Sequence, residues 1–166
     1  MENGKENITM KSILIIGASN AGKSATLVEV CKRLNPSKVY RLLLYKKKDA
    51  RLIELSEIKR NFNRTLIIEV NGKLILVVVG ATTEQQKTIT DLLEICINMK
   101  IDISFIIVSM HSVEKMDGFD TPNELKSKSE IVLTEKIYRI EDENFENNIE
   151  WKNRINRIVE TLKSNI

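Results

Sequence analysis

Residues Gly17 to Ser24 read Gly-Ala-Ser-Asn-Ala-Gly-Lys-Ser, an uninterrupted G-x-x-x-x-G-K-[ST] pattern. Each residue type in it has a chemical reason. Gly17 and Gly22 let the backbone curl, so that the N–H groups of Ala18, Ser19, Asn20 and Ala21 can face one anion without a Cβ in the way. Lys23 adds a point charge within reach of the outer phosphates of a nucleotide, and the Ser24 hydroxyl is the expected Mg²⁺ ligand, with Thr26 a weaker second. From Ala25 onward the chain reads as a helix whose positive N-terminal end points at the same anion.

The flanking residues supply the context this pattern needs. Ser12 to Ile16 is a short, β-branched apolar run, as a strand buried on both faces should be. Ala25, Leu27, Val28, Val30, Cys31 and Leu34 recur at helical spacing, and Asn35-Pro36 ends that helix. Strand, loop, lysine, hydroxyl and helix together predict binding of ATP or GTP with Mg²⁺ as cofactor.

Composition sets outer bounds. The 166 residues are 42% hydrophobic and read as one nucleotide-binding domain, with residues 1–10 a flexible polar tail. Twenty-six Lys and Arg against 23 Asp and Glu leave a net charge of +3, too mild to indicate nucleic acid. No run is long enough to span a bilayer, and the N-terminus lacks an apolar signal core, so the expected location is the cytoplasm. Cys31 and Cys96 sit in apolar patterns without metal-type spacing and read as buried free thiols, which fits a reducing interior.

Further along, Val39–Tyr45 reads as a second strand that ends in a basic loop over 46–64. That loop is either a solvated face or a segment over the nucleotide that faces an anion or a protein partner. Arg64–Val70 and Lys73–Val79 flank Asn71-Gly72, the strongest short hairpin signal. Glu84 to Met99 reads as one helix, Ile103–Ser109 and Ile131–Thr134 as further parallel strands, and the stretch from His111 to Glu130 as part helix, part loop. A final helix carries Trp151, Ile155, Ile158, Val159 and Leu162 on its apolar stripe, where Trp151 reads as core. His111 follows a core strand on the side of the sheet where ligands sit and reads as a loop histidine.

This order of elements resembles the small Ras-like GTPases of the P-loop NTPase superfamily over almost the whole chain. The resemblance implies an α/β three-layer sandwich whose central sheet is mostly parallel with one antiparallel hairpin strand. It also implies an Asp at the end of the hairpin's second arm, where this chain has Gly80-Ala81-Thr82-Thr83, and a guanine-reading Asn-Lys-x-Asp, where it has Glu135-Lys136-Ile137-Tyr138. Glu84 and Gln85 match the stretch that orients the attacking water, Lys136 is retained from the base motif, and Tyr138 is placed to stack on a base. Ser56 and Thr65 do not fall at the spacing of the family's closing Thr, Glu69 points away from the loop, and Asp102 starts its strand instead of ending it.

The resulting expectation is a nucleoside triphosphate binding protein, a slow NTPase or nucleotide-dependent switch. Two alternatives stand beside it. One is a small-molecule or nucleotide kinase with Lys126, Lys128 and Arg139 as lid residues; the other is a non-hydrolysing interaction module.

Overall fold

Alternation of apolar side chains along the strands sets the architecture. Strand β1 (Lys11–Gly17) sends Ile13 and Ile15 to one face of the sheet and Leu14 to the other. The same period divides β4 (Thr65–Val70), β5 (Lys73–Val78) and β6 (Ile103–His111). Leu66, Ile68, Val77 and Ile107 join Ile13 beneath helices α1 (Lys23–Arg33) and α5 (Ile149–Lys163). Ile67, Leu76, Ile106 and Val108 join Leu14 beneath α3 (Ile89–Asn98) and α4 (Thr121–Lys128). The protein is therefore an α/β chain with a helical layer on each face of one mixed sheet. The structure, a computed structural model, describes residues 10–45 and 49–166.

With β2 (Lys38–Leu44), β3 (Ala50–Leu55) and β7 (Glu130–Lys136), seven strands lie in the order β3-β2-β4-β5-β6-β1-β7. The pairs β5–β6, β6–β1 and β1–β7 are parallel, and β3–β2, β2–β4 and β4–β5 are antiparallel. This corrects the expected mostly parallel sheet with a single antiparallel hairpin strand. The cause is connection length, since parallel neighbours need a crossover of about a dozen residues or more. Only residues 45–49 join β2 to β3, and only Asn71-Gly72 joins β4 to β5. Asn71 at φ 53° and Gly72 at φ 75° supply the two left-handed residues that a two-residue hairpin turn of this kind requires.

The basic stretch 46–64 is likewise not one loop. Ala50–Leu55 pairs with β2 along its whole length and forms one edge of the sheet, with Leu52, Ile53 and Leu55 half-buried between the charges of Arg51 and Glu54. Those charges hid the strand pattern. Residues 46–48 lie outside the described residues, as does the tail expected at 1–10 except Met10, which packs against the core.

The helix expected over Glu84–Met99 is two helices, α2 (Thr82–Gln85) and α3. Gln86 turns left-handed at φ 57°, and Thr88 starts α3 afresh. The Asp91 amide donates to the Thr88 hydroxyl at 3.1 Å while the Asp91 carboxylate accepts from the Thr88 amide at 3.2 Å, a reciprocal cap that the spacing Thr-x-x-Asp encodes. Glu124 of α4 caps the same helix end from outside, accepting from the amides of Ile89 at 3.1 Å and Thr90 at 3.0 Å.

One feature of this topology positions a site. α1 follows β1 on one face, while α4 follows the neighbouring β6 on the other, so the chain diverges where Gly17 and His111 stand paired at the strand ends. In open α/β sheets the ligand crevice forms at such a divergence, outside the carboxyl ends of the strands.

Because Glu124 satisfies two otherwise free amides of α3, Glu124→Ala should lower the unfolding free energy by about 1–2 kcal/mol in urea denaturation. An unchanged midpoint would show that water replaces the cap without loss.

Candidate functional site

The loop leaves β1 at Gly17 and turns into α1 through Asn20 at φ 65° and Gly22 at φ 92°. Gly22 is the residue before the helix and offers no side-chain cap, and the first turn of α1 holds no acid. The helices α3, α4 and α5 are capped by the side chains of Thr88, Asp120 and Asn148. Of these four, α1 alone presents its first amides without a side-chain cap, at the divergence of β1 and β6. Such an end is positive and attracts an anion.

Lys23 lies over this curl and is only 8% exposed. Its Nζ donates to the carbonyl oxygens of Gly17 at 2.8 Å and Ala18 at 2.9 Å, so two of its three donors hold the loop in shape. Burial lowers its pKa from the usual lysine value, and the negative charge of Glu84 opposes that shift.

Three cavities surround the loop. The first, about 340 Å³, is bounded by Lys23, Ser24, Asn63, Ala81, Glu84 and His111. The second, about 310 Å³, runs from Gly22 and Ala25 to Arg139, Asp142, Phe145, Trp151 and Arg154. The third, about 480 Å³, lies between Ala18, Ser19, Pro122, Lys136 and Tyr138. The first and second share Asn20, Gly22 and Ala25, whereas the first and third share only Ser19.

On the first cavity, Glu84 reaches His111 Nε2 at 3.3 Å and also accepts from the Ala81 amide at 3.3 Å, which fixes its carboxylate. The Ser24 hydroxyl makes a long contact of 3.5 Å to the Val79 carbonyl. Among the described residues no group of three or more His, Cys, Asp and Glu gathers as a metal cage. One hydroxyl and one carboxylate is nevertheless the kind of protein share that Mg²⁺ accepts when phosphates and waters supply the rest.

Several sequence expectations are displaced. Gln85 does not line this cavity: its amide oxygen accepts from Thr65 Oγ1 at 2.9 Å and its nitrogen donates to the Gly80 carbonyl at 2.7 Å, so it ties β4 to the end of β5. Thr26 is fully buried behind the loop, beside Arg154. Lys136 and Tyr138 lie on the third cavity, which barely touches the first, and Tyr138 is 74% exposed. Lys126 and Lys128 sit on the outer surface of α4, away from the loop, whereas Arg139 lines the second and third cavities. Asp102 lines a cavity at the opposite end of the sheet, with Lys11 and Lys73. Glu69 pairs with Lys38 near the hairpin turn.

Three site residues were not assigned roles from sequence. His111 read as an ordinary loop histidine, and nothing in its spacing announced Glu84. Asn63 gave no signal. Arg154 did give one, because it occupies an apolar-stripe position between Trp151 and Ile155. It is 2% exposed, donates from Nη2 to the Tyr138 carbonyl at 2.9 Å, and burial lowers its pKa despite Glu150 and Glu135.

The acid that the Ras-like resemblance implies at Gly80 has no room. A Cβ there would stand 1.9 Å from the Asn63 carbonyl oxygen. No protein-family model, curated protein or solved structure matches the chain, so the functional reading rests on this geometry. Gly80→Ala should cost about 3 kcal/mol or prevent folding, read from the denaturant midpoint. A variant as stable as the parent would mean that the Asn63 segment moves aside easily.

Proposed function

We propose that the chain binds a nucleoside triphosphate, ATP or GTP, with Mg²⁺, and acts as a slow NTPase or nucleotide-dependent switch of the P-loop type. One observation supports this above the rest: an uncapped helix end, a curled glycine loop and a buried lysine converge where β1 and β6 diverge. In this reading the outer phosphates lie in the cavity of Lys23 and Glu84, with charge neutralised by Lys23 and the α1 amides. Ser24 and Glu84 would hold Mg²⁺, which when bound neutralises charge on the phosphate oxygens. His111 keeps the Glu84 carboxylate turned toward the cavity. The nucleoside extends past Ala25 into the adjoining cavity of Arg139, Phe145 and Arg154 and not toward Lys136 and Tyr138, because only the former is broadly continuous with the phosphate region.

Turnover is slow in this reading because Gln85, the expected water-orienting group, has both ends of its amide engaged elsewhere. The kinase alternative loses Lys126 and Lys128 as lid groups. Among the described residues no helix is long and apolar enough to cross a membrane. Burial drives the Cys31 thiol up to about 12 and the Cys96 thiol to about 11, which makes both poor nucleophiles.

Mg-ATP or Mg-GTP should raise the melting temperature; at a hundredfold excess over Kd the stabilisation is about 2.7 kcal/mol. Lys23→Ala should remove most of this shift, and Glu84→Gln should leave nucleotide binding but weaken its dependence on Mg²⁺. Identical responses of parent and Lys23→Ala would overturn the binding site. A single-turnover hydrolysis rate on the order of 1 s⁻¹ or more without a partner would overturn the slow reading.

A further inference from the structure

We propose that Arg41 and Arg64 form a second oxyanion site, separate from the loop, that takes the phosphate group of a small molecule. The site arises from a mismatch in strand length. β2 pairs with β4 only over Lys38–Arg41, but it continues beside β3 as far as Leu44. The inner edge of Leu42–Leu44 therefore has no strand neighbour, and a cavity of about 270 Å³ opens there, lined by Arg41, these three leucines, Arg64 and Gln85. That is below the roughly 300–1,000 Å³ of pockets that enclose whole ligands, so it suits a single anionic group.

Two arginines and no acid line it. Arg41 stands at the fork, its guanidinium carbon 6.0 Å from the centre of the Phe62 ring, and its Nε is buried without a hydrogen-bond partner. Buried donors of this kind are seldom left unpaired, because desolvation then goes uncompensated. Among the described residues neither arginine joins an ion pair. Gln85 cannot balance their charge, since its amide is neutral. Two guanidinium forks beside unpaired main-chain groups match the charge and planar donor geometry that recognise phosphate.

The location adds a consequence. Asn63 and Glu84 line the cavity above Lys23, while their chain neighbours Arg64 and Gln85 line this one, so the two cavities border the same two chain segments. If the nucleotide reading holds, the bound phosphate belongs to an acceptor or effector beside the reacting end. The oxyanion site itself does not depend on that reading.

The test is a titration of the full chain with inorganic phosphate, followed by amide chemical shifts, in the Lys23→Ala background so that the loop does not report. Amides of Leu42–Leu44 and Arg64 should shift with phosphate and not with chloride at equal ionic strength. Adding Arg64→Gln should weaken this response about tenfold or more, the loss of one charge-assisted contact. Arg64 is exposed, so this variant reports even if Arg41→Gln fails to fold. Absence of phosphate-specific shifts at 42–44, or shifts untouched by Arg64→Gln, overturns the proposal. Failure of the nucleotide reading would appear separately, as no response of the Lys23-containing protein to ATP or GTP.

Discussion

The insertion of β6 between β1 and β5 is the constraint on which the site depends. Two strand spacings, roughly 10 Å, separate the loop strand from the hairpin's second arm, and the hydrogen bond from the Ser24 hydroxyl to the Val79 carbonyl just past β5 is long, 3.5 Å. The strand that does adjoin β1 ends in His111, level with Gly17. The group that faces Ser24 from that side is thus held by a histidine, and the carboxylate comes from α2 and not from the strand end. Gly80 closes the alternative, because the backbone of Asn63 passes where any side chain would stand.

Much of this was legible in the sequence for physical reasons that can be named. The loop was legible because its chemistry is local: two glycines, a lysine and a hydroxyl within eight residues of a buried strand. The Asn71-Gly72 hairpin was legible for the same reason. What was missed is non-local or masked by charge. Nothing in the chain order says whether β6 falls beside β5 alone or between β5 and β1, and that choice sets the hairpin's second arm two strands away from the loop strand. β3 was missed because Arg51 and Glu54 made an edge strand resemble a charged loop, and the break before α3 was missed because Glu84-Gln85-Gln86-Lys87 are all ordinary helix formers, while the apolar period that starts at Ile89 does not say where the helix begins.

The electrostatics of the site are lopsided. The α1 end, Lys23 and the buried Arg154 gather around residues 20–26, and burial lowers the pKa of both side chains. Among the described residues the opposing charges are Glu84 on one side and Asp142, Glu150 and Glu135 on the other, and Glu135 is itself engaged by Arg157 at 2.6 Å. A region so biased toward positive charge favours a negative ligand over a positive one, which is the electrostatic content of the nucleotide proposal.

Such a site also has to hold the Glu84 carboxylate still, and α2 is too short to do so alone. It is clamped from both sides. Toward α4, the Thr82 hydroxyl lies 2.9 Å from that of Thr121 and also reaches Glu114, which in turn accepts from the Thr121 amide at 2.7 Å. Toward β4, Gln85 bridges Thr65 and Gly80. Gln85 therefore serves as an anchor of the turn that presents Glu84. A residue so engaged cannot orient water without releasing the segment that carries its neighbour. Position and chemistry are coupled within four residues, so a change in how β4 or α4 anchors α2 would reach the loop through Glu84 first.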